Sequence, residues 1–309
     1  MSEYTHYITE YTDNILTLDL WGGSQVYYKD TESFVIVRDC GFYSNVTVAM
    51  FGIFILTING YKISNFKLTM TDYSSEDLYP QFFNQNNEYV LNFDDITNED
   101  IHNFYHNSYP SKYGLGYPKS NFESKSSDVL NLDITDRIIK KFFTPNEKVY
   151  EYFNKMNVNK NLIKNEYVFI WARRTDKIEE NLIPNAIKYY EILKEENLLN
   201  ERIIIQTDDK TMLDEFIDLN FNFEYFSEIP FAKGYSFHRL ISKTPDEEFF
   251  NNFKIDKTEY ITQIICITLL ALNAKKCIIY PGCGVTVVPI YKNTYKNCFL
   301  FQNDTNLFK

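Results

Sequence analysis

The chain has 309 residues, 44% of them hydrophobic and 17% aromatic, and a formal net charge of −11. So much apolar content builds cores and excludes intrinsic disorder. So acidic a balance excludes general nucleic-acid binding, which needs a surplus of Lys and Arg against phosphates, but leaves room for one phosphate-bearing ligand held by a local basic cluster.

The length suits two domains. We expect an N-terminal α/β domain over residues 1–150 and a Rossmann-like domain over 151–309, with the boundary near residues 145 to 160, where the chain becomes rich in Asn and Lys. Residues 14 to 38 alternate apolar and polar, through Ile15, Leu16, Leu18 and then Phe34 to Val37, which suits strands. Gly41-Phe42-Tyr43-Ser44-Asn45 reads as a loop, followed by an apolar helix-like run from Val46 to Ile58. Asn59-Gly60 is a turn signal, and Phe66 to Met70 reads as the next strand. Residues 83 to 128 are polar, rich in Asn and Ser, and read as irregular. Beyond them, Ile134, Ile138, Ile139 and Phe142 have helical spacing, and so do Val149, Tyr152, Phe153 and Met156.

The second half has a βαβ rhythm. Tyr167 to Trp171 is an unbroken apolar run, as expected of a parallel strand covered on both faces. Pro184 suits the first turn of a helix that carries Ala186, Tyr190 and Leu193 on one face. Arg202 to Gln206 is the next buried strand, and Thr207-Asp208-Asp209 caps a helix with Met212, Leu213 and Phe216. Phe223 to Phe226 reads as a short strand, Thr258 to Leu272 as a long apolar helix, and Cys277 to Tyr280 as a final strand. Strands alternating with helices predict a parallel sheet.

Five cysteines, Cys40, Cys266, Cys277, Cys283 and Cys298, are scattered without a Cys-x-x-Cys pair, which suits a reducing compartment. Met1 to Glu10 is polar and acidic, unlike a signal peptide, and the run from Val46 to Ile58 is too short to span a bilayer. The expectation is a soluble, cytoplasmic chain.

In an open α/β sheet, ligands bind beyond the carboxyl ends of the strands. Three such ends carry distinctive residues: Arg173-Arg174-Thr175-Asp176-Lys177, then Thr207-Asp208-Asp209, then Gly282-Cys283-Gly284-Val285-Thr286. Two guanidiniums can meet a diphosphate through paired hydrogen bonds. As charges alone, the first group is more often a solvated salt-bridge cluster at a helix start. His102 and His106 are four apart, but Asn-Phe-Tyr lies between them, without the glutamate of a zinc site, and no metal is expected. Neither a Gly-x-Gly-x-x-Gly nor a phosphate-loop lysine motif occurs, so NAD and ATP readings lack support.

Trp171-Ala172-Arg173-Arg174-Thr175-Asp176-Lys177 resembles the His-x-Arg-Arg-Thr-Asp-Lys motif of α1,6-fucosyltransferases and the related bacterial Nod-factor fucosyltransferases. The strand ending in Thr207-Asp208-Asp209 is similar to one further along in the same family, and Ile134-Thr135-Asp136, Phe143 and Pro145 sit where the family has an interdomain helix. The resemblance covers residues 131 to 290. It implies a GT-B-like fold, two Rossmann-like domains facing a cleft, with the C-terminal domain binding the nucleotide-sugar and the N-terminal one on the acceptor side. It implies an inverting, metal-independent glycosyltransferase that moves fucose from GDP-fucose to a glycan acceptor, with no cofactor.

By the same resemblance, Arg173 contacts the β-phosphate, Arg174, Asp176 and Lys177 line the donor site, and Asp208 and Asp209 orient it. Gly282, Cys283, Gly284 and Thr286 fall where the family touches the diphosphate. The catalytic base corresponds to Glu179 or Glu180. Gly41, Tyr43, Ser44 and Asn45 resemble a first loop bordering donor and acceptor, and His238 is a candidate for the donor base. Trp171 replaces the family's histidine, and a family aspartate is missing around Ile267. Two alternatives therefore stand beside the main reading: a transferase using another GDP- or UDP-sugar, and a non-catalytic nucleotide-sugar or glycan-binding protein.

Overall fold

The computed structural model describes residues 8–20, 23–39, 41–71, 76–95, 97, 132–174, 185–231, 241, 244–279 and 298–300. Two compact units divide between Lys148 and Val149.

The first unit opens with β1 (Ile8–Thr12), β2 (Ile15–Leu18), β3 (Ser24–Tyr28) and β4 (Ser33–Arg38). These pair antiparallel in order, Leu16 level with Tyr27 and Val26 level with Val35. Buried positions alternate along β2 and β4, so one face of the meander carries the core. After β4 the chain forms α1 (Phe42–Ile58) and returns as β5 (Asn65–Met70), parallel to β4 with Ile36 level with Leu68. The expected Rossmann-like pattern is met in this unit by that one β-α-β step, since the strands before it are antiparallel.

Fourteen of the seventeen residues of α1 are buried, and a helix apolar on all sides must be enclosed rather than laid on a surface. Its partners are β4, β5 and α3 (Leu132–Phe142), reached after the four-residue α2 (Tyr79–Phe82) and the two-residue β6 (Phe83–Asn84). Ile134, Ile138 and Phe142 of α3 are buried at the expected spacing. β7 (Thr144–Pro145) then pairs antiparallel with β6. A ring cluster closes this end: Phe66 lies 5.8 Å from both Phe142 and Phe143, and Phe83 lies 5.5 Å from Phe143. Gly52 on α1 lets the helix approach β4, because a Cβ there would sit 2.3 Å from Cζ of Phe34. No described helix is long and apolar enough to cross a membrane.

The unit boundary falls in the first turn of α4 (Glu147–Lys160), which buries Val149, Phe153 and Met156. The second unit is built on β8 (Tyr167–Ala172), α5 (Ala186–Glu195), β9 (Arg202–Thr207), α6 (Lys210–Asp218), α7 (Asp246–Phe253), α8 (Lys257–Asn273), β10 (Lys276–Ile279) and β11 (Cys298–Leu300). The four strands form a parallel sheet in the order β11-β10-β8-β9. All six residues of β8 are buried, as its unbroken apolar run predicts. α8 packs on β8 and β10, and the Tyr167 hydroxyl donates to the Leu270 carbonyl at 2.7 Å.

Three expectations need correction. The strand at Cys277 is not the last, because β11 follows and pairs beside it. Phe223 to Phe226 is not a strand: only Glu224 joins the sheet, exchanging backbone bonds of 2.9 and 2.8 Å with Ile203 and Ile205 beside β9. The helix after β8 begins at Ala186 with Asn185 as its N-cap, and Pro184 lies outside the described residues.

Candidate functional site

Parallel register brings the C-terminal ends of three strands together in the second unit. Trp171 is level with Gln206 on one side and Ile279 on the other, and Ala172 is level with Thr207. One step further along β8 and β9 sets Arg173 beside Asp208.

Asp208 accepts from two directions, Arg173 Nε at 3.4 Å and the Arg174 backbone N–H at 2.8 Å. Its side chain is 6% exposed, so its charge is placed by protein donors rather than by water. Asp209 turns the other way and caps α6, accepting from the Thr211 N–H at 2.7 Å and the Thr211 hydroxyl at 2.6 Å. Its second oxygen lies 3.9 Å from Arg174 Nε. The Thr207 hydroxyl accepts from the Asp209 N–H at 3.1 Å, which fixes the turn between strand and helix.

Glu215, in the second turn of α6, completes the cluster. One carboxylate oxygen takes Arg174 Nη1, and the other takes the Ala186 N–H at 3.1 Å. Asn185, the N-cap of α5, contributes no side-chain bond, so Glu215 caps α5 from a different helix. Two guanidiniums thus face three carboxylates, and the first turns of α5 and α6 each already hold a carboxylate of the chain itself.

Of the residues singled out in the sequence, Arg173, Arg174, Asp208 and Asp209 are brought together. Asp176, Lys177, Glu179, Glu180, Gly282, Cys283, Gly284, Thr286 and His238 lie outside the described residues.

The first-unit candidates are placed differently from expectation. Gly41 to Asn45 is not a loop: α1 begins at Phe42, with the Asn45 N–H bonded to the Gly41 carbonyl at 3.1 Å. Tyr43 and Asn45 are buried, and the Thr47 hydroxyl bonds back to the Tyr43 carbonyl at 2.8 Å. Ser44 and Asn45 read as turn formers, but their side chains serve Arg38 at the end of β4. Its Nη1 donates to Ser44 Oγ at 3.0 Å and to Asn45 Oδ1 at 3.3 Å.

Sequence reasoning missed Arg38 and Glu215. Arg38 had a local signal, a lone cation ending an apolar strand. Glu215 had none, since it acts across 41 residues on Arg174 and 29 on Ala186.

No protein-family model matches the chain, and no curated protein matches it in sequence. The chain shares its fold with a solved fucosyltransferase. The particular likeness is to fucosyltransferase NodZ from Bradyrhizobium, at a TM-score of 0.51 and 9% identity over 88% of this chain and 94% of that one. NodZ α-1,6-fucosyltransferase co-crystallised with GDP gives 0.48 at 9% identity, and the same enzyme soaked with GDP-fucose 0.48 at 10%, each over 82% of this chain and 90% of the other. The likeness is one of fold.

Proposed function

We propose that the chain is a glycosyltransferase of the fucosyltransferase type, inverting and metal-independent, that transfers fucose from GDP-fucose to a glycan acceptor. The observation that carries this reading is the pair Arg173 and Arg174 at the carboxyl end of β8, beside Asp208 at the end of β9. That edge is where a parallel sheet receives ligands. The fold shared with a fucosyltransferase supports it.

In this reading the second unit holds the donor and the first supplies acceptor contacts. The acceptor hydroxyl oxygen attacks the anomeric carbon of the sugar from the face opposite the diphosphate. The bond from that carbon to the β-phosphate oxygen breaks, its electron pair stays on the phosphate, and Glu179 or Glu180 takes the hydroxyl proton. Arg173 meets the growing phosphate charge, where a preorganised cation lowers the barrier. Arg174 is held by Glu215 and backs it. Asp176, Lys177, Gly282, Cys283, Gly284 and Thr286 complete the donor site, and His238 approaches the base.

One observation favours a second reading, a non-catalytic nucleotide-sugar-binding protein. Trp171, 6% exposed within the sheet, stands where the family motif has a titratable histidine. Calorimetry with a panel of nucleotide-sugars, followed by turnover assays on glycan acceptors, separates the two. GDP-fucose binding that is lost in Arg173→Ala, together with turnover in the parent chain, supports the transferase. Tight binding without turnover on any acceptor moves the assignment to the second reading, and preference for a UDP-sugar changes the donor. Binding that survives Arg173→Ala and Arg174→Ala removes the phosphate site.

A further inference from the structure

We infer that Glu215 is a positioning residue for the arginine pair, fixing Arg174 on the rim of the sheet and tying it to the start of α5. The inference rests on the reading of Arg173 and Arg174 as a phosphate site and extends it to a residue on another element.

Glu215 flanks the stripe of α6 that buries Met212, Leu213 and Phe216, so packing holds its backbone still. Its two oxygens go to different places, Arg174 Nη1 and the Ala186 N–H. Arg174 ends the strand side and Ala186 begins the helix side of the stretch 175–184, which contains Asp176, Lys177, Glu179 and Glu180. One carboxylate therefore links the Arg174 guanidinium to the first backbone N–H of α5. The Arg174 backbone is fixed separately by Asp208 at 2.8 Å, so Glu215 governs the direction of the guanidinium rather than the path of the chain.

The direction of the effect follows from what lies nearby. Removing Glu215 removes a negative charge, which on its own would favour an incoming phosphate. But Asp209 Oδ2 already lies 3.9 Å from Arg174 Nε. A guanidinium released from Glu215 closes on that carboxylate before any ligand arrives, and loses its present direction. Charge-assisted bonds to a planar guanidinium are strongly directional, so the lost orientation outweighs the relieved charge.

The test compares Glu215→Ala, Glu215→Gln, Arg174→Ala and the double variant Arg174→Ala/Glu215→Ala. Calorimetry reads affinity for GDP and for guanosine, amide hydrogen exchange reads Ala186, and thermal unfolding reads the coupling of the pair. Glu215→Ala should weaken GDP about tenfold, leave guanosine unchanged, and add nothing in the Arg174→Ala background. Exchange at the Ala186 amide should rise by about tenfold in Glu215→Ala and less in Glu215→Gln, which keeps shape and an acceptor oxygen. A Glu215→Gln or Glu215→Ala protein that stays folded and binds GDP as tightly as the parent, or more tightly, overturns the inference. So do independent, additive losses from Arg174 and Glu215. If the parent chain binds no GDP, the phosphate-site reading falls instead. The tie itself then stands on accelerated Ala186 exchange with coupled unfolding of the pair, and falls without them.

Discussion

Arg202 grips Glu224 through two hydrogen bonds, Nε to Oε1 at 2.7 Å and Nη2 to Oε2 at 3.1 Å. The same guanidinium donates to the carbonyls of Lys160 and Asn161, so the foot of β9 is tied at once to the end of α4 and to the strand-like contact at Glu224. The bonds from Arg202 hold the Glu224 carboxyl below its ordinary range. A carboxyl lowered in the folded state contributes stability above its unfolded value of about 4.3. That contribution is lost as pH falls through the lower folded value. The Glu224 side chain is 37% exposed, so solvent screening keeps the pair to about 0.5 kcal/mol. Urea unfolding of Glu224→Gln should show that deficit at pH 7, with the two curves converging in acid. A deficit that persists unchanged at low pH refutes the electrostatic account.

Gly52→Ala sets two effects against each other. Alanine favours a helix interior over glycine by about 1 kcal/mol. Its methyl, however, would lie 2.3 Å from Cζ and 2.7 Å from Cε1 of Phe34, a ring that is 0% exposed. Overpacking of that kind costs about 1–3 kcal/mol, so the net change should be destabilising. Thermal melts should show a lower midpoint for Gly52→Ala, partly restored by Phe34→Leu in the same chain. A higher midpoint for Gly52→Ala alone would mean that the ring has room to move.

Asp209→Ala removes the cap of α6, whose bonds to Thr211 are 2.7 and 2.6 Å long. A lost N-cap of this type costs about 1 kcal/mol, and Asp209→Ser should recover much of it. Chemical denaturation of the three proteins checks the order. Equal stability of the alanine and serine variants would show that the helix start is held by something other than the cap.

Tyr167→Phe removes the hydroxyl that donates to the Leu270 carbonyl. Leu270 lies in the last turn of α8, where helical carbonyls lack an intrahelical partner. Burial raises the pKa of that hydroxyl, so it remains a donor at ordinary pH. The phenylalanine variant should lose about 1 kcal/mol through the orphaned carbonyl. A midpoint unchanged from the parent would indicate that water reaches Leu270.

Local signals in the sequence carried much of the second unit. The unbroken run Tyr167 to Trp171 is β8, Arg202 to Gln206 lies in β9, and Asp209 caps the helix it precedes. The spacing of Ile134, Ile138 and Phe142 is that of α3. The rest depends on partners far along the chain. Ser44 and Asn45 look like turn residues until Arg38 takes their oxygens, and so the local sequence sets the start of α1 too late. Three-residue β11 has too few positions for a pattern, and exists because β10 offers an edge. At the candidate site, Arg173, Arg174, Asp208 and Asp209 were readable because each follows an apolar strand. Glu215 was not, because nothing in its own neighbourhood marks a helical carboxylate that serves two distant elements.

The enclosure of α1 bears on the order in which the chain matures. Its apolar surface is synthesised early, yet α3, which covers part of it, is completed only at Phe142, and the β6–β7 pairing only at Pro145. A nascent chain of some eighty residues after α1 must therefore leave the ribosome before α3 can cover its share of that surface, at about 5–20 residues per second. Over that interval the face of α1 that meets α3 lacks that partner, so the first unit matures as a whole rather than strand by strand.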